Sequence, residues 1–131
     1  MNIVGIGIDI CKNARIENLI NKFGNIFLEK LFHQLEIKTG FERYGDDIKL
    51  LSNFFAKRFA GKEALIKAIG FSGRIKKNEI AILSNQFGRP EIKMFNDTKY
   101  YVEQKFSSKI IFHISLSDEE EFSVANVIAE I

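Results

Sequence analysis

The sequence has a single cysteine, a single proline and no tryptophan among its 131 residues. One thiol, Cys11, excludes an internal disulfide and fits a reducing compartment. No apolar run approaches the roughly 20 residues that cross a bilayer. The start, MNIVGIGIDI, lacks the basic opening and long apolar stretch of a signal peptide, so a cytoplasmic protein with no membrane partner is expected. Charge of either sign is also scarce in excess: the formal net charge is +2 and basic residues form no run, so no nucleic-acid partner is expected. Several catalytic signatures are missing as well. There is no glycine-rich loop ending in Gly-Lys-Ser/Thr for nucleotide phosphates, no CxxC, no HExxH, and no serine elbow with a histidine. GIGIDI has the wrong glycine spacing for a dinucleotide fingerprint, and its acidic residue follows too soon to reach a ribose.

Phenylalanine is what the chain has in abundance, thirteen of them. So many aromatics in a short chain predict a dense core, or an apolar surface covered by oligomerisation. The length suits one domain over residues 1–131 with a real core.

Ile3 to Ile10 alternates Ile or Val with Gly and then Asp, the period of a strand. Gly5 and Gly7 leave one face bare, as though another backbone or a ligand lies against it. Asp9 falls on that face at the strand's end, where it suits a hard cation such as Mg2+, or simply the N-cap of the next helix. Lys12 to Phe23 reads as an amphipathic helix with Ile16, Leu19, Ile20 and Phe23 on one side, stopped by Gly24. A short helix over Ile26 to Phe32 leads into a polar stretch, His33 to Asp47, read as helix fragments and loop with His33 on the surface. Glu79–Leu83 and Glu91–Phe95 form a hairpin around Asn85–Pro90, and a helix capped at Asn96 or Asp97 runs to Lys105, with Tyr100, Tyr101 and Val102 inside. Two further strands, Ile110–Leu116 and Phe122–Ile131, flank the acidic connection SDEEE. The order predicts α+β: a long central helix packed against a mainly antiparallel sheet.

That long helix should begin near Asp46 or Asp47 and end near Gly70. Leu51, Phe55, Phe59, Leu65, Ile66 and Ile69 form a broad apolar side, and Ala56, Ala60, Ala64 and Ala68 form a second side of small residues. Small residues admit a close neighbour, so the helix is expected to be covered on both sides. Yet Arg58, Lys62, Glu63 and Lys67 crowd the same turns. A carboxylate among cations on a covered helix is costly unless it meets a metal or phosphate. The ordinary alternative is a surface Glu63–Lys67 pair at i, i+4, contributing about 0.3–0.5 kcal/mol. Asp9 with Glu63, surrounded by cations, is a set of groups suited to a pyrophosphate.

The order of GIGIDI with Arg15-Ile16-Glu17, RFAGKEALIKAIG, Gly88-Arg89-Pro90 and the final HISLSDEEEFSVANVIAEI resembles the holo-[acyl-carrier-protein] synthases, the short bacterial type of 4′-phosphopantetheinyl transferase. The resemblance spans nearly the whole chain. It implies transfer of 4′-phosphopantetheine from coenzyme A to a serine of apo acyl carrier protein, for fatty acid synthesis, with Mg2+ as cofactor and a homotrimer whose active sites lie between subunits. By position, it implies Asp9 and Glu63 as metal ligands, Glu63 also as candidate base through a water, and Lys67 beside the pyrophosphate. It implies coenzyme A contacts at Arg58, Lys67, Gly70, Ser72, Gly73, Arg89, Pro90, His113 and Asp118, and carrier-protein contacts at Arg15 and Lys22. Asp118 stands where many relatives carry histidine, Gly70-Phe71-Ser72-Gly73 replaces their usual Gly-Thr-Gly, and Gly61 replaces their usual Ala. A coenzyme A-binding module without catalysis and a small RNA-binding protein are the competing classes; turnover and RNA binding respectively separate them.

Overall fold

A computed structural model describes residues 1–71 and 73–131. In chain order the elements are β1 (Ile3–Lys12), α1 (Asn13–Phe23), α2 (Asn25–Leu31), α3 (Gln34–Tyr44) and α4 (Ile48–Ile69), then β2 (Ile80–Ser84), β3 (Pro90–Met94), α5 (Asn96–Lys105), β4 (Ile111–Asp118) and β5 (Phe122–Glu130). A single 3-10 turn, Lys77–Glu79, precedes β2. The fold is α+β: an antiparallel sheet in the order β1-β5-β4, a separate β2-β3 hairpin, and α4 between them.

The centre is α4. Asp47 caps it, its Oδ1 accepting from the Lys49 and Leu50 N–H groups at 3.1 Å each, a cap of the kind that contributes about 1 kcal/mol. Gly70 ends it with φ 85°, the left-handed conformation that glycine adopts without a Cβ penalty. The helix is covered on both sides, as its two stripes require. Leu51, Phe55, Leu65 and Ile69 are buried, and so are Ala56, Ala60, Ala64 and Ala68. Against the alanine side lies the bare face of β1. A Cβ placed on Gly5 would sit 1.8 Å from the Ala68 carbonyl oxygen, and one on Gly7 would sit 1.9 Å from that of Ala64. Any side chain there would push strand and helix apart. Ser123, Ala125, Val127 and Ala129 of β5 continue this face and are all buried. The opposite face of β1 carries Ile6, Ile8 and Ile10, exposed by 68%, 62% and 62%.

A buried ion pair joins the helical layer to the hairpin. Lys62 and Glu36 are both fully buried and bonded to each other. The Lys62 Nζ also lies 2.9 Å from the carbonyl oxygens of Leu31 and Lys77 and 2.8 Å from that of Ile80. Glu36 accepts in turn from the Ile82 N–H at 3.0 Å and the His33 N–H at 2.9 Å. Burial pushes the Lys62 pKa down to about 8, against the opposing pull of the Glu36 charge and hydrogen bond.

Three expectations need correction. The stretch from His33 to Asp47 is not fragments and loop; most of it is the continuous helix α3. His33 is its N-cap, with Nδ1 accepting from the Leu35 N–H at 3.0 Å and the ring stacked on Phe95 at 4.3 Å. Phe23, the last residue of α1, is 47% exposed rather than buried with Ile16 and Ile20. Tyr100 is 62% exposed; Val102 is the buried member of that trio, and α5 is preceded by Phe95 as N-cap.

Candidate active site

The glycine–alanine contact decides what meets at the end of β1. Asp9 shares the helix-facing side of the strand with Gly5 and Gly7, because side chains alternate faces. The Lys67 ammonium reaches back from α4 to Asp9 Oδ1 at 3.2 Å and to the Ile8 carbonyl oxygen at 2.8 Å. Glu63, one turn earlier on the helix, pairs with Lys77 at 2.9 Å. Glu63 and Lys67 therefore bridge to different elements rather than to each other as an i, i+4 pair. Buried Cys11 records the convergence. Its thiol is pushed up first by burial, with the Arg15 charge pulling it down and the Asp9 and Glu63 carboxylates both raising it. A thiol raised in this way is a packing group and a poor nucleophile.

Asp9 and Glu63 supply hard oxygen donors from two rigid elements held in backbone contact. Among the described residues no group of three or more His, Cys, Asp or Glu side chains could hold a metal. That donor set fits Mg2+, which commonly takes one or two carboxylates and completes its shell with water and substrate phosphates.

The remaining predicted positions separate into groups. Gly70 lines a shallow depression of about 440 Å3 beside Lys67. Gly73 follows, packed so that a Cβ there would meet the Phe71 ring at 2.7 Å; Ser72 lies outside the described residues. Arg89, Pro90 and His113 line one groove of about 650 Å3 between the hairpin turn and β4. His113 is 57% exposed on its side chain, 3.5 Å from Glu130, and alternates onto the sheet face opposite to Asp9. Asp118 faces α4 near its N-terminal half, 3.4 Å from the Lys57 ammonium and 3.5 Å from Asn53 Nδ2. Arg15 and Lys22 are exposed on α1, Arg15 lying 5.5 Å from the centre of the Phe59 ring.

Arg58 does not stand where a coenzyme A contact is expected. It is 4% exposed and stacked 3.6 Å over Phe54, with Nε donating to the Ile82 carbonyl at 3.0 Å and Nη1 to that of Phe54 at 3.3 Å. Burial lowers its pKa to about 10, which leaves it charged and serving the helix–hairpin contact. Lys62 is likewise taken out of the cation set by its pair with Glu36. Lys77 was not foreseen at the site. It lies fourteen positions after Glu63 beyond a helix end, and no periodic pattern links the two.

Comparison with known proteins now defines the class. The chain belongs to the 4′-phosphopantetheinyl transferase superfamily, whose family model matches residues 5–126. It is 38% identical over 128 residues to the holo-[acyl-carrier-protein] synthase of Ehrlichia canis (strain Jake), covering 96% of this chain and 93% of that protein. Among solved structures it resembles the holo-[acyl-carrier-protein] synthase of Neisseria meningitidis, at TM-score 0.81 and 33% identity over 99% of this chain and all of the other. It also resembles the Bacillus anthracis enzyme solved in complex with CoA (3′,5′-ADP), at TM-score 0.77 and 32% identity over 98% and 96% of the two chains.

Proposed function

We propose that the chain is a Mg2+-dependent holo-[acyl-carrier-protein] synthase, moving 4′-phosphopantetheine from coenzyme A to a serine of apo acyl carrier protein. The observation that carries the reading is the contact of Gly5 and Gly7 with Ala64 and Ala68, which brings Asp9 into the reach of Lys67, one turn from Glu63. In the reaction the serine oxygen bonds to the phosphorus that bears the pantetheine arm. The bond from that phosphorus to the bridging oxygen breaks, and adenosine 3′,5′-bisphosphate leaves with the electron pair. The serine proton passes to a base, for which Glu63 is the candidate. Asp9 and Glu63 would hold Mg2+, which would supply positive charge to offset that on the diphosphate. Lys67, with its side chain 55% exposed, turns its ammonium from Asp9 to the departing phosphate and stabilises the charge that develops there.

The position of the other residues supports a homotrimer with sites between subunits. Ile6, Ile8 and Ile10 form an exposed, contiguous apolar outer face, the kind of patch that marks an interaction site. His113 alternates onto that same face, and the groove it shares with Arg89 and Pro90 would join coenzyme A across a subunit boundary. Exposed Arg15 and Lys22 suit an acidic carrier protein, with an encounter weakened by salt. Among the described residues no helix is long and apolar enough to cross a membrane; with the lone buried thiol, this supports our placing the enzyme in the cytoplasm for fatty acid synthesis.

Incubating the protein with apo carrier protein, coenzyme A and Mg2+ is expected to add the mass of phosphopantetheine to the carrier. No gain beside an active control, or gain without coenzyme A, overturns the assignment. Asp9→Asn or Glu63→Gln is expected to slow transfer by about 100-fold or more with the melting temperature retained.

A further inference from the structure

Lys77 touches the candidate metal site and has no part in the chemistry above. Its ammonium lies 2.9 Å from Glu63 Oε1, with side chains 27% and 29% exposed. Three residues of α4 hold it there. The buried Lys62 ammonium fixes its carbonyl at 2.9 Å, Glu63 takes its charge, and the Phe59 ring lies 5.8 Å beneath the Lys77 Nζ. Backbone and side chain of residue 77 are thus gripped by consecutive residues 62 and 63. The arrangement mirrors the one at Asp9, where the Lys67 ammonium stands at 3.2 Å. Each of the two candidate ligand carboxylates therefore carries its own lysine, one from α4 and one from the turn before β2.

An oxygen with an ammonium at this distance does not take a dication at about 2.1 Å until the ammonium moves aside, since the like charges repel across a half-buried site. We propose that Lys77 is the counter-ion a divalent cation displaces from Glu63, and that the displaced ammonium becomes a second lysine contact, with Lys67, for the diphosphate of coenzyme A. The proposal rests on the metal reading of Asp9 and Glu63. Its backbone stays pinned by Lys62, so the freed ammonium remains beside the cation, where substrate phosphates bring the compensating charge. Glu63 exchanges lysine for metal and Lys77 exchanges carboxylate for phosphate.

This exchange makes metal and coenzyme A respond to Lys77 in opposite directions. Mn2+ serves as the probe on the full chain, followed by loss of the free-ion paramagnetic resonance signal. Lys77→Met keeps the aliphatic stem over Phe59 and is expected to bind Mn2+ about two- to fivefold more tightly without coenzyme A. At saturating Mn2+ it is expected to bind coenzyme A about two- to fivefold more weakly by calorimetry, and Lys77→Arg is expected to restore both values. Lys77→Gln repeats the measurement with a different shape if Lys77→Met lowers the melting temperature. Both affinities falling together indicates a structural role and overturns the proposal, as does unchanged Mn2+ affinity. Tighter Mn2+ with unchanged coenzyme A overturns the phosphate contact. Glu63→Gln separates the two readings: retained Mn2+ binding there removes Glu63 as a ligand, whereas its loss beside an unaltered Lys77→Met defeats only the role of Lys77.

Discussion

Lys62 and Glu63 are neighbours in sequence with opposite fates. Lys62 is enclosed with Glu36 and three carbonyl oxygens, while Glu63 remains 29% exposed at the site. Their types were legible, but their directions were not, because a helix buried on both sides gives no solvent face from which to read orientation. The same holds for Arg58, whose guanidinium turns to Phe54 and the Ile82 carbonyl instead of a ligand. Burying an ion pair contributes little net stability, yet removing one partner strands the other. Lys62→Met is therefore expected to lower unfolding free energy by about 3–5 kcal/mol, and Lys62→Met with Glu36→Leu by clearly less. Urea denaturation of both variants checks this. Equal losses would mean that the carboxylate is not stranded and that the pair is not the clamp between α3 and the hairpin.

Elements with a strong period or strong punctuation were readable. The alternation of β1, the span of α4 between Asp47 and Gly70, and the hairpin around Gly88 all stand close to where the sequence places them. Helix α3 escaped because Gly40 and Gly45 interrupt its propensity and histidine is not among the usual N-caps. Its stability is tertiary: Gly40 lies where a Cβ would meet the Phe54 and Phe55 rings at 2.9 Å, and Glu36 is locked to Lys62. The cap has a pH consequence. His33 accepts a hydrogen bond through Nδ1 and so must be neutral there, and burial, opposed by the Glu36 charge and aided by those of Lys62 and Lys93, holds its pKa below 6.5. With the folded value depressed, the cap's contribution is present above pH 6.5 and is lost as pH falls through the folded value. Thermal melts between pH 7 and pH 5 are expected to fall less for His33→Asn, which caps without titrating, than for the parent protein. Parallel curves would remove His33 from the acid response.

At the scale of the molecule, the α+β class, the transferase family and the meeting of β1 with α4 were legible, since the glycine and alanine stripes predict one another's presence. The separation of Asp9 from His113 onto opposite sheet faces was not, because alternation on β4 fixes faces only once its pairing with β5 is known. The proposed homotrimer would resolve that separation by bringing the two faces together across a subunit boundary. Sedimentation is expected to give three times the 15.0 kDa chain mass, and Ile6→Asp on the exposed face is expected to give the single chain; a monomeric parent protein would contradict it. The close approach of strand and helix is expected to let Asp9 and Glu63 share one divalent cation. Mn2+ titration of the parent protein, Asp9→Asn and Glu63→Gln tests it most directly. One Mn2+ per chain is expected, with about tenfold or greater loss of affinity in each variant while the fold persists. Parent-like affinity in either variant would show that the two carboxylates do not share an ion.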